Sequence, residues 1–471
     1  MKSDSLAVPQ CGTWHSEFTM ASQGMRMVIY QRTIAYGMAI LVWSLLACSE
    51  FVLAESASTA KASSAEKTPY PLSVEGPKPA SITPPSAAEI TKAIERGVEF
   101  LLGSQLKQGA WGRSQNGKYY RIWSPVPEAH NAYRTATTSL AIMALVESRD
   151  LFDGELRERI EDSLDRSQAW LLENGSKLKR SAPDQYDDYM GYALYNVWGH
   201  AYAIHAAVSL HQRAEGDSEL QEKLKQLVDL QIERLSAGEF LNGGWGYYDD
   251  PYSDKYGNPA HPRRAKLATP TGSSISFTTA TVLIALKEAE KEFGIEVPTE
   301  VTKPAIASIE RQRYPDFAYA YGEYLKYVPR MDINRPGGSL GRSQVCNLAL
   351  RLYGDKLVTD EVVENWLNRL FARNGWLSMS RKRNYPGQSP HYADFSVAGY
   401  FYYYGHFYAS MCIDQLPEDE RPFFRGQLAH VLLPLQESDG SWWDYILYDY
   451  HQQYGTAMAI SSLVRCLPSD R

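Results

Sequence analysis

The stretch Arg96-Gly97-Val98-Glu99-Phe100-Leu101, running on to Gln105, Gly109 and Trp111, decides how this chain is read. Its pattern is R-G-x2-F-L-x3-Q-x3-G-x-W, and the core Q-x3-G-x-W returns near the other end as Gln436, Gly440 and Trp442. Weaker copies are Arg166 with Trp170-Leu171, Gln231 with Gly243-Gly244-Trp245, and Asn374-Gly375-Trp376. A loop of this kind has a plain physical sense. Gln closes a helix whose last carbonyls lack partners, Gly permits the turn, and Trp folds back over the helix end.

Outward from these loops, apolar residues recur at helical spacing in twelve segments: 87–105, 131–148, 154–173, 187–213, 217–236, 274–293, 299–313, 340–353, 359–373, 392–416, 419–436 and 452–466. Alternation of the strand type is missing at comparable length, so an all-α domain is expected. The even-numbered segments share a second repeat. Trp198-Gly199-His200-Ala201 matches Tyr404-Gly405-His406-Phe407 and Tyr454-Gly455-Thr456-Ala457, with Thr135-Ala136 and Thr279-Ala280 in the same register. These segments carry small and polar residues within apolar runs, which suits an inner ring, whereas the charged odd segments suit an outer one. Six hairpins closing on a shared hollow, an (α/α)6 toroid over 86–467, is the fold expected.

The Arg96 to Trp111 segment resembles the QW motif of squalene-hopene and oxidosqualene cyclases, and the six hairpins resemble the toroid those enzymes share with protein prenyltransferase β subunits. The resemblance implies an isoprenoid-like or other apolar ligand in the central cavity. It does not extend to the catalytic motifs. No D-x-D-D occurs, Asp184-Gln185-Tyr186-Asp187-Asp188 has the wrong spacing, and no D-x-C precedes His451 to make a zinc site. No cofactor is expected, and zinc is not expected.

Position therefore nominates the site. Inner helices begin at the loop-rich mouth, where polar residues at their starts converge. Asp187, Asp188, Asp394 and His451 are the candidate catalytic residues. His130, Tyr189, His200, Arg342, His391, Tyr402, His406 and Asp449 are the candidate substrate-binding residues, with Tyr133 and Arg134 beside His130. Helix capping by the aspartates and core packing by the histidines are the competing structural readings. Two further functions stay open: a carbohydrate-active toroid of the lyase or glycoside hydrolase kind, which needs paired carboxylates in an aromatic groove, and a non-catalytic binding scaffold.

Composition narrows the partners. The chain has 471 residues, 44% of them hydrophobic, with 32 Tyr and 11 Trp, a supply suited to an aromatic-lined cavity. A net charge of −7 with a pI near 5.9 and no basic block argues against nucleic acid. Residues 1–54 read as an export leader, with Arg26 and Arg32 ahead of an apolar run from Ala35 to Ala47 and small residues at Val52-Leu53-Ala54. Leu45-Leu46-Ala47-Cys48 also resembles a lipobox, which would leave the exported protein lipid-anchored at Cys48, so membrane contact is expected only through the leader or that anchor. Residues 55–85 read as a low-complexity linker and 468–471 as a tail. The three cysteines beyond the leader, Cys346, Cys412 and Cys466, indicate no disulfide framework.

Overall fold

The computed structural model describes residues 70–114, 127–178, 195–247, 274–323, 336–382 and 398–468. Helix α1 (Ala87–Ser104) shows how the sequence starts an outer helix. Ser86 Oγ accepts from the Glu89 N–H at 3.2 Å while the Glu89 carboxylate accepts from the Ser86 N–H at 2.8 Å, a reciprocal cap. Its buried stripe is Ile90, Ala93, Ile94, Gly97, Val98 and Leu101, spaced by three and four. The other outer helices, likewise one-sided, are α3 (Gly154–Asn174), α5 (Ser218–Gly238), α7 (Thr299–Gln312), α9 (Asp360–Ala372) and α11 (Arg421–Leu432).

Between them run α2 (Pro127–Ser148), α4 (Asn196–Arg213), α6 (Ser276–Phe293), α8 (Pro336–Leu352), α10 (Phe401–Ile413) and α12 (His451–Val464). These are buried nearly all round; in α10 every residue from Phe401 to Ser410 is buried. The six contact one another in order, α2 to α4 to α6 to α8 to α10 to α12, and α12 packs back on α2 and α1. That closed cycle inside an outer jacket is the (α/α)6 toroid expected. Helices α2 and α8 begin four residues before their expected starts. Both open on proline, Pro127 and Pro336, whose fixed φ suits a first helical position that apolar periodicity does not mark.

The tryptophan loops are clasps between the rings. Trp111 Nε1 donates to the Leu101 carbonyl at 2.8 Å, Trp245 Nε1 to Leu235 at 2.7 Å and Trp442 Nε1 to Leu432 at 3.0 Å. Each tryptophan also donates its backbone N–H to a threonine of the next inner helix: Thr138 at 3.1 Å, Thr279 at 2.9 Å and Thr456 at 2.9 Å. Gln105 and Gln436 brace their own turns by donating to Gly109 and Gly440 carbonyls, each at 2.9 Å. The glycines at the bend, Gly109, Gly243 and Gly440, have φ of 96°, 93° and 89°, a region that disfavours any side chain. Two registers need correction. The residue equivalent to Gln105 in the middle copy is Glu239, not Gln231, and the threonine equivalent to Thr279 in α2 is Thr138, not Thr135.

A further copy is concealed at Arg313 to Tyr319. Tyr314 N–H donates to Ala318 at 2.8 Å and Phe317 N–H to Tyr314 at 2.9 Å, the same turn as Leu106 to Ala110, with Phe317 at φ 62° in the glycine place and Tyr319 in the tryptophan place.

Residues 70–85, expected within a tether, lie along the outer ring. The helical turn Pro71–Val74 buries Ser73, whose carbonyl accepts from Asn365 Nδ2 of α9 at 2.8 Å. Arg369 donates to the Glu75 carbonyl at 2.8 Å and Gln427 of α11 to Ala80 at 2.9 Å. Side chains of the outer helices thus hold backbone carbonyls of the strap, an attachment that strap composition does not signal. Among the described residues, no helix is long and apolar enough to cross a membrane.

Candidate functional site

The hollow of the ring is filled at mid-depth by its own aromatic side chains. Trp198 of α4 stacks on Tyr202 with centroids 5.9 Å apart and meets Phe277 of α6 at 6.1 Å and Tyr404 of α10 at 5.8 Å. Hydroxyls tie the plug together: Tyr408 donates to Thr281 at 3.0 Å, Thr281 and Tyr404 lie 2.8 Å apart, and Tyr404 donates to the Phe277 carbonyl at 3.0 Å. At the far end, Arg465 pairs with Glu147 at 2.7 Å and His205 with Glu288 at 2.6 Å.

The face on which the inner helices begin is different, because each hairpin brings a tyrosine to it. Tyr133 of α2 lies 5.1 Å from Tyr195 at the start of α4, and Tyr195 lies 5.8 Å from Tyr247. The Tyr247 and Tyr321 hydroxyls are hydrogen-bonded, and Tyr321 and Tyr400 hydroxyls are 3.3 Å apart. Tyr400 meets the edge of Tyr445 at 5.8 Å, and Tyr448 and Tyr450 return to Tyr133 at 6.3 and 5.6 Å. Desolvation raises the phenols of Tyr247 and Tyr450 above their ordinary range, so both are neutral donors at neutral pH. Tyr195, Tyr247 and Tyr400 are half-buried.

The seam between the last hairpin and the first gathers three of the expected residues. His130 Nδ1 is 3.2 Å from the Tyr450 hydroxyl, and its ring meets Tyr448 edge-on at 4.7 Å. The Asp449 N–H donates to the Arg113 carbonyl at 3.3 Å; burial raises the Asp449 carboxyl, against the pull of the Arg113 charge. His451 Nδ1 donates to the Tyr448 carbonyl at 3.0 Å and stands edge-on to Trp443, and burial lowers its pKa. Beside them a cavity of about 420 Å³ is lined by Leu106, Lys107, Gln108, Arg113, Ser114 and Arg134.

His200, Tyr402 and His406, expected to bind substrate, lie away from this seam. His200 Nδ1 lies 2.6 Å from Gln231 Oε1 on outer helix α5. His406 donates from Nδ1 to the Tyr402 carbonyl at 2.7 Å and accepts at Nε2 from Asn374 at 2.8 Å, while Tyr402 donates to the other end of the same amide at 2.9 Å. His200 and His406 therefore face outward, in the register where Thr138, Thr279 and Thr456 make their clasps, with Tyr402 one turn before His406 on the same amide. Arg342 occupies that register in α8, donating from Nε to the Tyr319 carbonyl at 2.7 Å. Asp187, Asp188, Tyr189, His391 and Asp394 lie outside the described residues.

Asp444 was not anticipated. It is fully buried, accepts from the Tyr403 N–H at 3.0 Å and the Tyr454 hydroxyl at 2.9 Å, and burial raises its carboxyl to about 6. Its place two residues after Trp442 in the repeated loop was the available signal. Cys346, Cys412 and Cys466 are free and buried. Among the described residues, no group of three or more His, Cys, Asp or Glu side chains is placed to hold a metal ion.

No family model and no curated protein matches the chain. Among solved structures, an α-1,6-mannanase of a Salegentibacter species aligns at 11% identity and TM-score 0.47, over 80% of this chain and 100% of that one. An inactive variant of that mannanase in complex with α-1,6-mannotriose aligns at 10% identity and TM-score 0.45, over 80% and 98%. A cellobiose 2-epimerase from Spirochaeta thermophila aligns at 14% identity and TM-score 0.47, over 80% and 97%. The expected kinship with terpenoid cyclases and protein prenyltransferases is corrected accordingly: the aligned structures are of a mannanase and a sugar epimerase, and the tryptophan loops that suggested the kinship are accounted for as clasps between helix rings.

Proposed function

We propose that this toroid is a carbohydrate-recognising protein that takes a glycan across its tyrosine-lined mouth. The observation that carries the reading is the pairing of an aromatic-filled interior with a run of tyrosines from all six hairpins above it. Phenol rings offer flat apolar faces to the C–H side of a pyranose and hydroxyls to its edge, whereas an apolar chain would need the depth that Trp198, Phe277 and Tyr404 occupy. The neighbouring mannanase variant is described with a bound mannotriose, which accords with this reading.

In this reading Asp187, Asp188 and Asp394 are the candidate acid and base, carried on segments that lead along the chain into α4 and α10, with Asp449 and His451 at the seam. An exported protein would meet such substrates outside the cell. The test is a glycan array followed by calorimetry on the full-length chain, with Tyr195→Ala and Tyr400→Ala. Binding to a defined glycan, weakened several-fold by either change, is expected, since a ring contact contributes on the order of 0.5–1.5 kcal/mol beyond the area it buries. Release of reducing ends that disappears in Asp188→Asn would add catalysis. Absence of glycan binding, or binding indifferent to both tyrosines, overturns the reading.

A further inference from the structure

Six inner helices present one equivalent position to the outer ring, filled by Thr138, His200, Thr279, Arg342, His406 and Thr456. The clasp asks for a single polar contact, and threonine supplies it at three of the six. Arg342 exceeds that need. Its Nε makes the clasp to Tyr319, and the side chain is 0% exposed, yet among the described residues Nη1 and Nη2 have no hydrogen-bond partner. Around it stand Tyr314, whose buried hydroxyl also lacks a partner, and the belt phenols Tyr321 and Tyr400. Burial brings the guanidinium down to about 10, so it remains a cation at neutral pH.

A buried cation without a counter-charge is a costly arrangement, and a water molecule could accept from the Nη groups without neutralising them. An anion would do both, and planar carboxylate is the group that a guanidinium edge receives best. We propose that Arg342, with the Tyr314 hydroxyl, forms a built anion site beneath the tyrosine belt between Tyr321 and Tyr400. Its occupant is a carboxylate-like anion, from one of two sources: a uronic acid unit of a glycan lying across the mouth, or a free small anion. The first source rests on the glycan reading above; the site itself does not.

The test uses the full-length chain at constant ionic strength, following thermal unfolding with sodium formate, sodium chloride, an oligogalacturonate and a neutral mannooligosaccharide. A saturable rise in Tm with an anion is expected for the wild type. It should vanish in Arg342→Gln and shift to several-fold higher anion concentration in Tyr314→Phe, which deletes one hydroxyl and keeps the fold if Arg342→Gln does not. Response to formate or chloride identifies a free anion; response to oligogalacturonate alone identifies the glycan carboxylate. Stabilisation that is absent for every anion, or unchanged in Tyr314→Phe and any folded Arg342→Gln, overturns the site. Neutral mannooligosaccharide binding without an anion effect leaves the glycan reading standing and removes this one; an anion effect with no glycan bound does the reverse.

Discussion

Asn374 donates from Nδ2 to Nε2 of His406 at 2.8 Å, which fixes the buried imidazole as the neutral tautomer with its proton on Nδ1. Burial lowers the His406 pKa from 6.5 to about 4. On the same helix, Asp444 accepts from the Tyr403 N–H and is raised from 3.8 to about 6. The two shifts oppose each other in one pH window. His406 contributes stability that is present above pH 6.5 and lost as pH falls through 4, whereas Asp444 contributes stability present below 3.8 and lost as pH rises through 6. Each is worth about 3 kcal/mol by linkage.

Their near-cancellation gives a sharp expectation. Relative to wild type, Asp444→Asn should lose stability more steeply as pH falls from 6.5 to 4, and His406→Gln should lose it less steeply. Urea unfolding at several pH values measures both slopes. Parallel profiles for all three proteins would contradict the burial of one or both groups.

The clasp predicts a stability cost that is local in cause and common to its copies. Trp442→Phe keeps a ring in the buried slot but leaves the Leu432 carbonyl without its donor, and a buried unsatisfied carbonyl costs about 1–3 kcal/mol. Trp245→Phe should cost a similar amount, because the geometry repeats, and Trp111→Phe less, because the Ser104 hydroxyl also donates to the Leu101 carbonyl at 3.2 Å. Denaturant midpoints for the three variants check this, and a cost below about 0.5 kcal/mol in all three would show that the indole bonds contribute no net stability.

These cases show what the residues disclosed in advance. Ring order and helix count were legible because inner helices are buried all round and outer ones on a stripe, and that difference is written into periodicity. The clasps were legible as a repeat, but a repeat of structure was open to being read as a repeat of ancestry. Direction was not legible. His200 and His406 share a register with three threonines, and only the contacts to Gln231 and Asn374 show that this register faces outward. The tyrosine belt was hidden for another reason: Tyr133, Tyr195, Tyr247, Tyr321, Tyr400 and Tyr448 come from six hairpins at no common spacing.

The strap offers a test of attachment separate from the ring. Arg369 of α9 donates to the Glu75 carbonyl, and a Cβ on Gly76 would stand 2.4 Å from Asn365 Oδ1. Arg369→Ala and Gly76→Ala should each release residues 70–85 without opening the toroid. Limited proteolysis is expected to cut this segment faster in both variants, with the unfolding midpoint little changed in Gly76→Ala and lowered in Arg369→Ala, which also loses the 3.1 Å ion pair to Asp316. Unaltered cleavage would mean that the strap is held chiefly by Ser73 and the Gln427 contact to Ala80.

The plug and the belt can be separated by substitution, because they lie at different depths of the same hollow. Thr281 receives the Tyr408 hydroxyl at 3.0 Å and stands 2.8 Å from that of Tyr404, so Thr281→Val leaves the Tyr408 donor unsatisfied at a cost of about 1–3 kcal/mol. That hydroxyl chain joins α6 to α10, whereas the belt's Tyr247 and Tyr321 meet the ring of Phe277 at 6.1 and 5.2 Å, so glycan affinity should persist in Thr281→Val while its unfolding midpoint falls. Tyr195→Ala should show the converse, weaker binding with a smaller loss of stability, since Tyr195 is half-buried and rests on the rim against Tyr133 and Tyr247. Calorimetric binding and denaturation on the same two variants decide the matter. Loss of binding in Thr281→Val with retention in Tyr195→Ala would place recognition in the interior and reverse the reading of the belt.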